Sequence, residues 1–239
     1  MTDISNQGTQ TDVIQRYARA AGIAMLLSTV FGFLGEAYIP ERIIADGDAA
    51  ATLANLAAHP TLFRLGFAAY LVEGFCDIIL CVLWYVVLKP VNRNLALVSA
   101  FVGVVSMVTF AIAQASYFSA SLIVKDTAGM SSFAAEQRDA LAFLAMRIAT
   151  MIATLFMGFY GLASMIRGYL IARSGYLPKV LGMLLVIGGA GFFLRGITYV
   201  LAPKYSSVWM LIPMAIAGIP LMLWLLVKGV NRQRLEATS

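Results

Sequence analysis

The chain has 239 residues, of which 61% are apolar and only 12% charged. Soluble domains carry about a quarter charged residues, so too few charges remain here to cover a soluble surface, and lipid is the natural solvent. The net charge of +5 is no nucleic-acid signal, because Lys and Arg gather at the ends of apolar segments and not in one basic patch.

Residues 1–15 are mostly polar and read as a flexible N-terminus. The apolar run that follows is too long for the core of a signal peptide and lacks a small-x-small cleavage site. A helix needs about twenty apolar residues to span the hydrocarbon. Six runs qualify: 18–39, 62–88, 95–124, 140–172, 180–201 and 208–227. The fourth exceeds one membrane thickness at about 1.5 Å per residue, so it tilts or extends into water. The predicted fold is all-α: a six-helix transmembrane bundle over 16–230, with a short tail over 231–239. Between the first two runs, 48–59 reads as an Ala-rich helix capped by Asp48, with Leu53 and Leu56 three apart to lie on the membrane surface. The turns Lys89-Pro90-Val91-Asn92 and Ser174-Gly175-Tyr176-Leu177-Pro178 place Pro or Gly where a helix must stop.

Charge sets orientation. One side holds Arg16, Arg19, Lys89, Arg93, Arg167, Arg173, Lys179, Lys228, Arg232 and Arg234. The other holds Arg42, Arg64, Lys125, Arg138 and Lys204, mixed with Glu41, Asp46, Asp48, Asp126, Glu136 and Asp139. Both termini are therefore expected in the cytoplasm, with the chain in a cell (inner) membrane. The two halves show no internal repeat, which gives no support to an inverted-repeat transporter.

Ionisable residues inside apolar runs are costly, at about 2.5–3.5 kcal/mol each near the bilayer centre. Glu36 lies in the first run, Glu73 and Asp77 in the second, Gln114 in the third, Arg147 in the fourth and Arg195 in the fifth. Counted by rise per residue, Glu36 sits roughly 5 Å below the outer boundary and Glu73, Gln114, Arg147 and Arg195 roughly 9–16 Å below it. Asp77 is one turn deeper, on the face of Glu73. These six residues are the candidate ligand site. Arg147 and Arg195 would donate and balance two acids, with Glu73 as acceptor or proton carrier; the third acid must pair with Arg64 at the rim, carry a proton or bind something positive. Tyr38, Tyr117 and Tyr199 would line the mouth or belong to an interfacial belt.

Other residues read more simply. Cys76 and Cys81 point in different directions five residues apart, so neither a disulfide nor a shared metal site is expected. One histidine, His59, excludes multi-histidine metal sites. Gly158, Gly161, Gly188, Gly189, Gly191 and Gly196 allow close helix crossings. Met146, Met151, Met157 and Met165 read as packing residues. Trp84, Trp209 and Trp224 read as interfacial or lipid-facing. Phosphate loops, nucleophile elbows and acidic metal motifs are absent from the sequence, so neither a metal nor another cofactor is expected.

Several stretches occur in an order that resembles a bacterial membrane family, domain of unknown function 4386. They are Arg19-Ala20-Ala21-Gly22, Gly35-Glu36, Gly47-Asp48 with Asn55, and Leu62-Phe63-Arg64-Leu65-Gly66. Leu88-Lys89-Pro90-Val91-Asn92, Gly168-Tyr169-Leu170 and the run from Ser174 to Gly182 complete the set. The resemblance implies a multi-helix membrane protein and carries over no catalytic residue. Three functions fit the residues. The first is binding or translocation of a small ion, polar metabolite or lipid headgroup in the outer-half pocket. The second is a metal-independent lipid enzyme with Glu73 or Asp77 as general acid/base. The third is a structural or regulatory membrane partner whose charges only hold the bundle.

Overall fold

In the computed structural model, which describes residues 2–45, 48–124 and 132–236, the chain is helical almost throughout. Helix α1 (Thr2–Gly32) runs into a π-helical turn (Phe33–Tyr38) and the short α2 (Pro40–Ile43). Then come α3 (Ala49–Ala58), α4 (Pro60–Leu88), α5 (Arg93–Val124), α6 (Ala135–Arg173), α7 (Lys179–Leu201), α8 (Ile212–Val227) and α9 (Arg232–Glu236). Six spans are long and apolar enough to cross a membrane: Thr11–Ile43, Pro60–Leu88, Arg93–Val124, Ala135–Arg173, Lys179–Leu201 and Val208–Val227. They match the six expected runs. The chain is thus an all-α, multi-pass membrane protein. Helix α1 starts at Thr2, so most of the stretch read as a flexible N-terminus is helical. Lys125, Asp46, Gly47 and Asp126, assigned to the outer side from sequence, lie outside the described residues.

The chain divides into two compact units. The first comprises 1–26, 76–107 and 154–239; the second comprises 27–75 and 108–153. Each carries its own apolar core.

The first unit is closed at one end by a set of paired polar groups. Its core joins Ile14, Ala18, Trp84, Val87, Leu170, Tyr176, Leu221 and Leu225. Trp84 is only 4% exposed, a correction to its expected lipid-facing place, because its indole fills this core. At the turn after α6, Gly175 takes φ +73°, which suits glycine, and the Ser174 hydroxyl accepts from the Leu177 amide at 3.1 Å. The Tyr176 hydroxyl donates to the Val87 carbonyl at 2.6 Å. The Tyr176 carbonyl in turn accepts from the Asn231 amide at 2.9 Å. Burial pushes the Tyr176 phenol above its usual range. Gln15 of α1 reaches the end of α8, donating to the Lys228 carbonyl at 3.1 Å and accepting from the Val230 amide at 2.8 Å. Between those two residues Gly229 turns at φ +65°. Asp12 and Arg232 form an exposed ion pair at 3.0 Å. The α6–α7 crossing is glycine-made, as expected: a Cβ on Gly161 would stand 2.5 Å from the Gly189 carbonyl oxygen.

The second unit packs Ile39, Ile43, Leu53, Leu56, Phe63, Ala120 and Ala142. Helix α3 is capped by Asp48, whose carboxylate accepts from the Ala51 amide at 2.9 Å. Leu53 and Leu56 are 5% and 2% exposed, so the apolar face of α3 packs into this core. The reason is that α2 and the first turn of α4 offer it an apolar seat beside the helix. Outward faces of both units are apolar, as at Phe75, Phe101, Val180 and Ile216, which suits contact with lipid.

Candidate functional site

In the second unit the end of α1 and its π turn run antiparallel to the start of α4. Gly32 faces Glu73, Gly35 faces Tyr70 and Ile39 faces Gly66. The approach is close enough to exclude side chains. A Cβ on Gly32 would stand 2.6 Å from Glu73 Oε1, and one on Gly35 would stand 3.3 Å from the Tyr70 ring. Glycine at 32 therefore makes the space that the Glu73 carboxylate fills. The π turn is closed by the Ile39 amide donating to the Leu34 carbonyl at 3.1 Å. It carries Glu36. Such widened turns recur at functional positions.

Helix α5 completes this layer. Gln114 is buried, and its amide is hydrogen-bonded to the Tyr70 hydroxyl. Glu36, Glu73 and Tyr117 all lie close enough to that phenol to act on it electrostatically. The Tyr70 ring meets Phe110 edge-on at 5.7 Å, and the Tyr117 ring meets Phe63 at 5.0 Å, so both phenols are held by aromatic packing. Gln114 Oε1 and the Tyr117 hydroxyl are buried here with no hydrogen-bond partner among the described residues. A buried polar atom left unmatched costs about 1–3 kcal/mol, so native structures rarely leave one without a reason.

The first unit holds a second group of polar residues. Asp77 and Arg167 are 8% and 5% exposed, and both act electrostatically on the Cys81 thiol. The Arg167 Nε–H donates to the Ser99 hydroxyl at 3.3 Å, and Ser99 donates to the Ala163 carbonyl at 3.1 Å. Gly103 admits the guanidinium: a Cβ there would stand 2.8 Å from Arg167 Nη2. Farther along the chain, Arg195 is half-buried, with Nε and Nη1 buried and without a partner among the described residues.

The six expected residues thus fall into two sets. Glu36, Glu73, Gln114 and Arg147 belong to the second unit; Asp77 and Arg195 belong to the first. Glu36 and Glu73 lie within electrostatic reach of the Tyr70 phenol, and Gln114 is hydrogen-bonded to it. Arg147 lies exposed on α6, as does Arg64 on α4. Tyr38 is exposed beneath the Arg42 guanidinium, 3.6 Å from its ring centroid. Cys76 and Cys81 are both buried and not joined in a disulfide. Two residues escaped the sequence reading. Tyr70, at the centre of the cluster, looks in sequence like one more aromatic in an apolar run. Arg167 was grouped with the basic helix ends, although it lies inside the fourth apolar run, six residues before Arg173. That position was the signal that could have found it.

Residues 20–229 match the family described as Domain of unknown function (DUF4386). The chain belongs to this family. The matched span contains Glu36, Tyr70, Glu73, Asp77, Gln114 and Arg167 and the stretches Gly35-Glu36, Leu62 to Gly66 and Ser174 to Gly182. Two of these now have physical meanings: Gly35 and Gly66 bring α1 and α4 together, and Ser174 to Gly182 forms the turn that seats Tyr176. No curated protein and no solved structure matches the chain.

Proposed function

We propose that this family member is a cell-membrane protein that binds or translocates a small ion, polar metabolite or lipid headgroup at a polar site within the bilayer. Its termini face the cytoplasm, and the site opens from the opposite side. The charge asymmetry of the loops supports the orientation. The observation that carries the binding reading is the buried layer of the second unit, where the Gln114 carbonyl oxygen and the Tyr117 hydroxyl lie without partners beside two carboxylates. Polar groups buried within an apolar helix mark ligand or ion paths by default.

Thermal unfolding of the purified full chain in detergent tests this. Sodium, ethylammonium and phosphate salts and an anionic phospholipid would each be added in turn. At least one should raise the unfolding midpoint by several degrees, and Gln114→Leu should remove the gain. Stabilisation by none of them, or equal stabilisation of the variant, would sink the reading.

A further inference from the structure

We propose that the ligand of the second-unit site is a small monovalent cation, held chiefly by Glu73, with Gly32 as the residue that positions the carboxylate. This rests on the binding reading above and names its chemistry.

The groups that face one another around Tyr70 are rich in acceptors. Glu36 and Glu73 bring carboxylates, and the Tyr70 and Tyr117 phenols bring hydroxyl oxygens. An acid cluster alone would prove nothing. The independent observation is Gln114, which is 9% exposed. Its amide is bound to Tyr70, and its carbonyl oxygen is buried with no partner among the described residues. An amide turned so that its acceptor is left over, in a layer that already holds two acids, is oriented for a positive charge or a donor. An anion would face two like charges in a poorly screened site.

The small set of acidic ligands among the described residues favours a monovalent cation. Divalent ions such as Ca²⁺ take about six to eight oxygen ligands, usually with several carboxylates. Among the described residues no group of three acidic, His or Cys side chains suited to a metal forms. An alkali ion or a primary ammonium needs less: a carboxylate, one or two neutral oxygens and a low-dielectric wall. Arg42, in the same unit, donates to the Tyr38 carbonyl at 2.9 Å and stacks on its ring, so it is held at the surface.

Gly32 turns this into a positional device. A methyl at 32 would stand 2.6 Å from Glu73 Oε1 and 2.9 Å from its carboxyl carbon. Gly32→Ala keeps the charge and moves it. Glu73→Gln keeps the shape and removes the charge.

The experiment uses the full chain in lipid nanodiscs, titrated calorimetrically with sodium chloride and with ethylammonium chloride. N-methylglucamine chloride holds the ionic strength, and N-methylglucamine phosphate provides the anion arm. Sodium or ethylammonium should bind the wild type, and which of the two does so identifies the source of the cation. Gly32→Ala should weaken that binding about tenfold or more, equivalent to about 1.4 kcal/mol, and Glu73→Gln should abolish it. A monodisperse elution profile confirms that each variant is folded; if Glu73→Gln does not fold, Gly32→Ala decides. Cation binding unchanged in Gly32→Ala would overturn the proposal. So would binding in the phosphate arm alone, which would leave the broader binding reading standing. If no arm binds, the cation proposal falls, and the phospholipid arm of the thermal-unfolding test alone decides the broader reading. A response to acid alone, without either cation, would make the site a proton carrier and would also overturn the proposal.

Discussion

The turn end of the first unit and the buried layer of the second treat polar groups in opposite ways. At the turn end of the first unit, the side chains of Gln15, Ser174 and Tyr176 bond to backbone groups at or beside helix ends, and the Asn231 backbone amide donates to the Tyr176 carbonyl. In the second unit, Gln114 and Tyr117 keep polar atoms without partners inside a packed layer. The first arrangement is a fastening: each side chain finishes a backbone hydrogen bond, and its removal exposes the deficit. The second arrangement carries an unmet demand that something other than the described residues can satisfy. Stability and function are therefore written in different places, and substitutions should separate them.

The largest effect is expected at the glycine crossing of the first unit. Gly161→Leu drives a side chain into the Gly189 carbonyl and the Phe193 amide, each 2.5 Å from the first added carbon. Overpacking of that kind costs about 3 kcal/mol, and the unfolding midpoint in detergent should fall steeply or the folded protein should not be recovered. A wild-type midpoint would mean that α6 and α7 do not cross at these glycines.

Next comes Gln15→Ala. It leaves the Lys228 carbonyl and the Val230 amide without their side-chain partner, at a cost of about 2 kcal/mol. Amide exchange at Val230 should also speed up, and unchanged exchange there would break the fastening account.

Tyr176→Phe should cost about 1 kcal/mol, since it removes one hydroxyl from a core that can close over the ring. The same hydroxyl has a sign in pH. Its acidity is weakened by burial in the folded state, so its contribution is complete below the free tyrosine range, about pH 10, and is lost as pH rises above it. Wild type should lose stability in strong base more than Tyr176→Phe does; parallel curves would count against the buried hydroxyl.

The smallest effect, and the sharpest contrast, belongs to Gln114→Leu. Leucine removes the unmatched acceptor and also the bond to the Tyr70 hydroxyl; the gain and the loss offset, so stability should stay within about 1 kcal/mol of wild type. Unfolding without ligand would look nearly normal, while ligand stabilisation disappears. A loss as large as that of Gln15→Ala would place Gln114 among the fastenings and erase the distinction between the units.

What the sequence by itself determined is one-dimensional. Run length and charge density are local sums, so the six spans, the all-α class and the family were legible from residues alone. Local chemistry was legible too: Asp48 caps α3, and Gly175 takes the positive φ its turn requires. Tertiary structure alone decided which face of each helix turns inward. A helix that is apolar all round carries no amphipathic stripe to read, because lipid and protein core are equally apolar neighbours. Hence Trp84 turned out buried and Arg147 exposed, Arg167 left the helix ends for a seat beside Gly103, and Tyr70 became the phenol that Gln114 bonds and that Glu36 and Glu73 reach electrostatically.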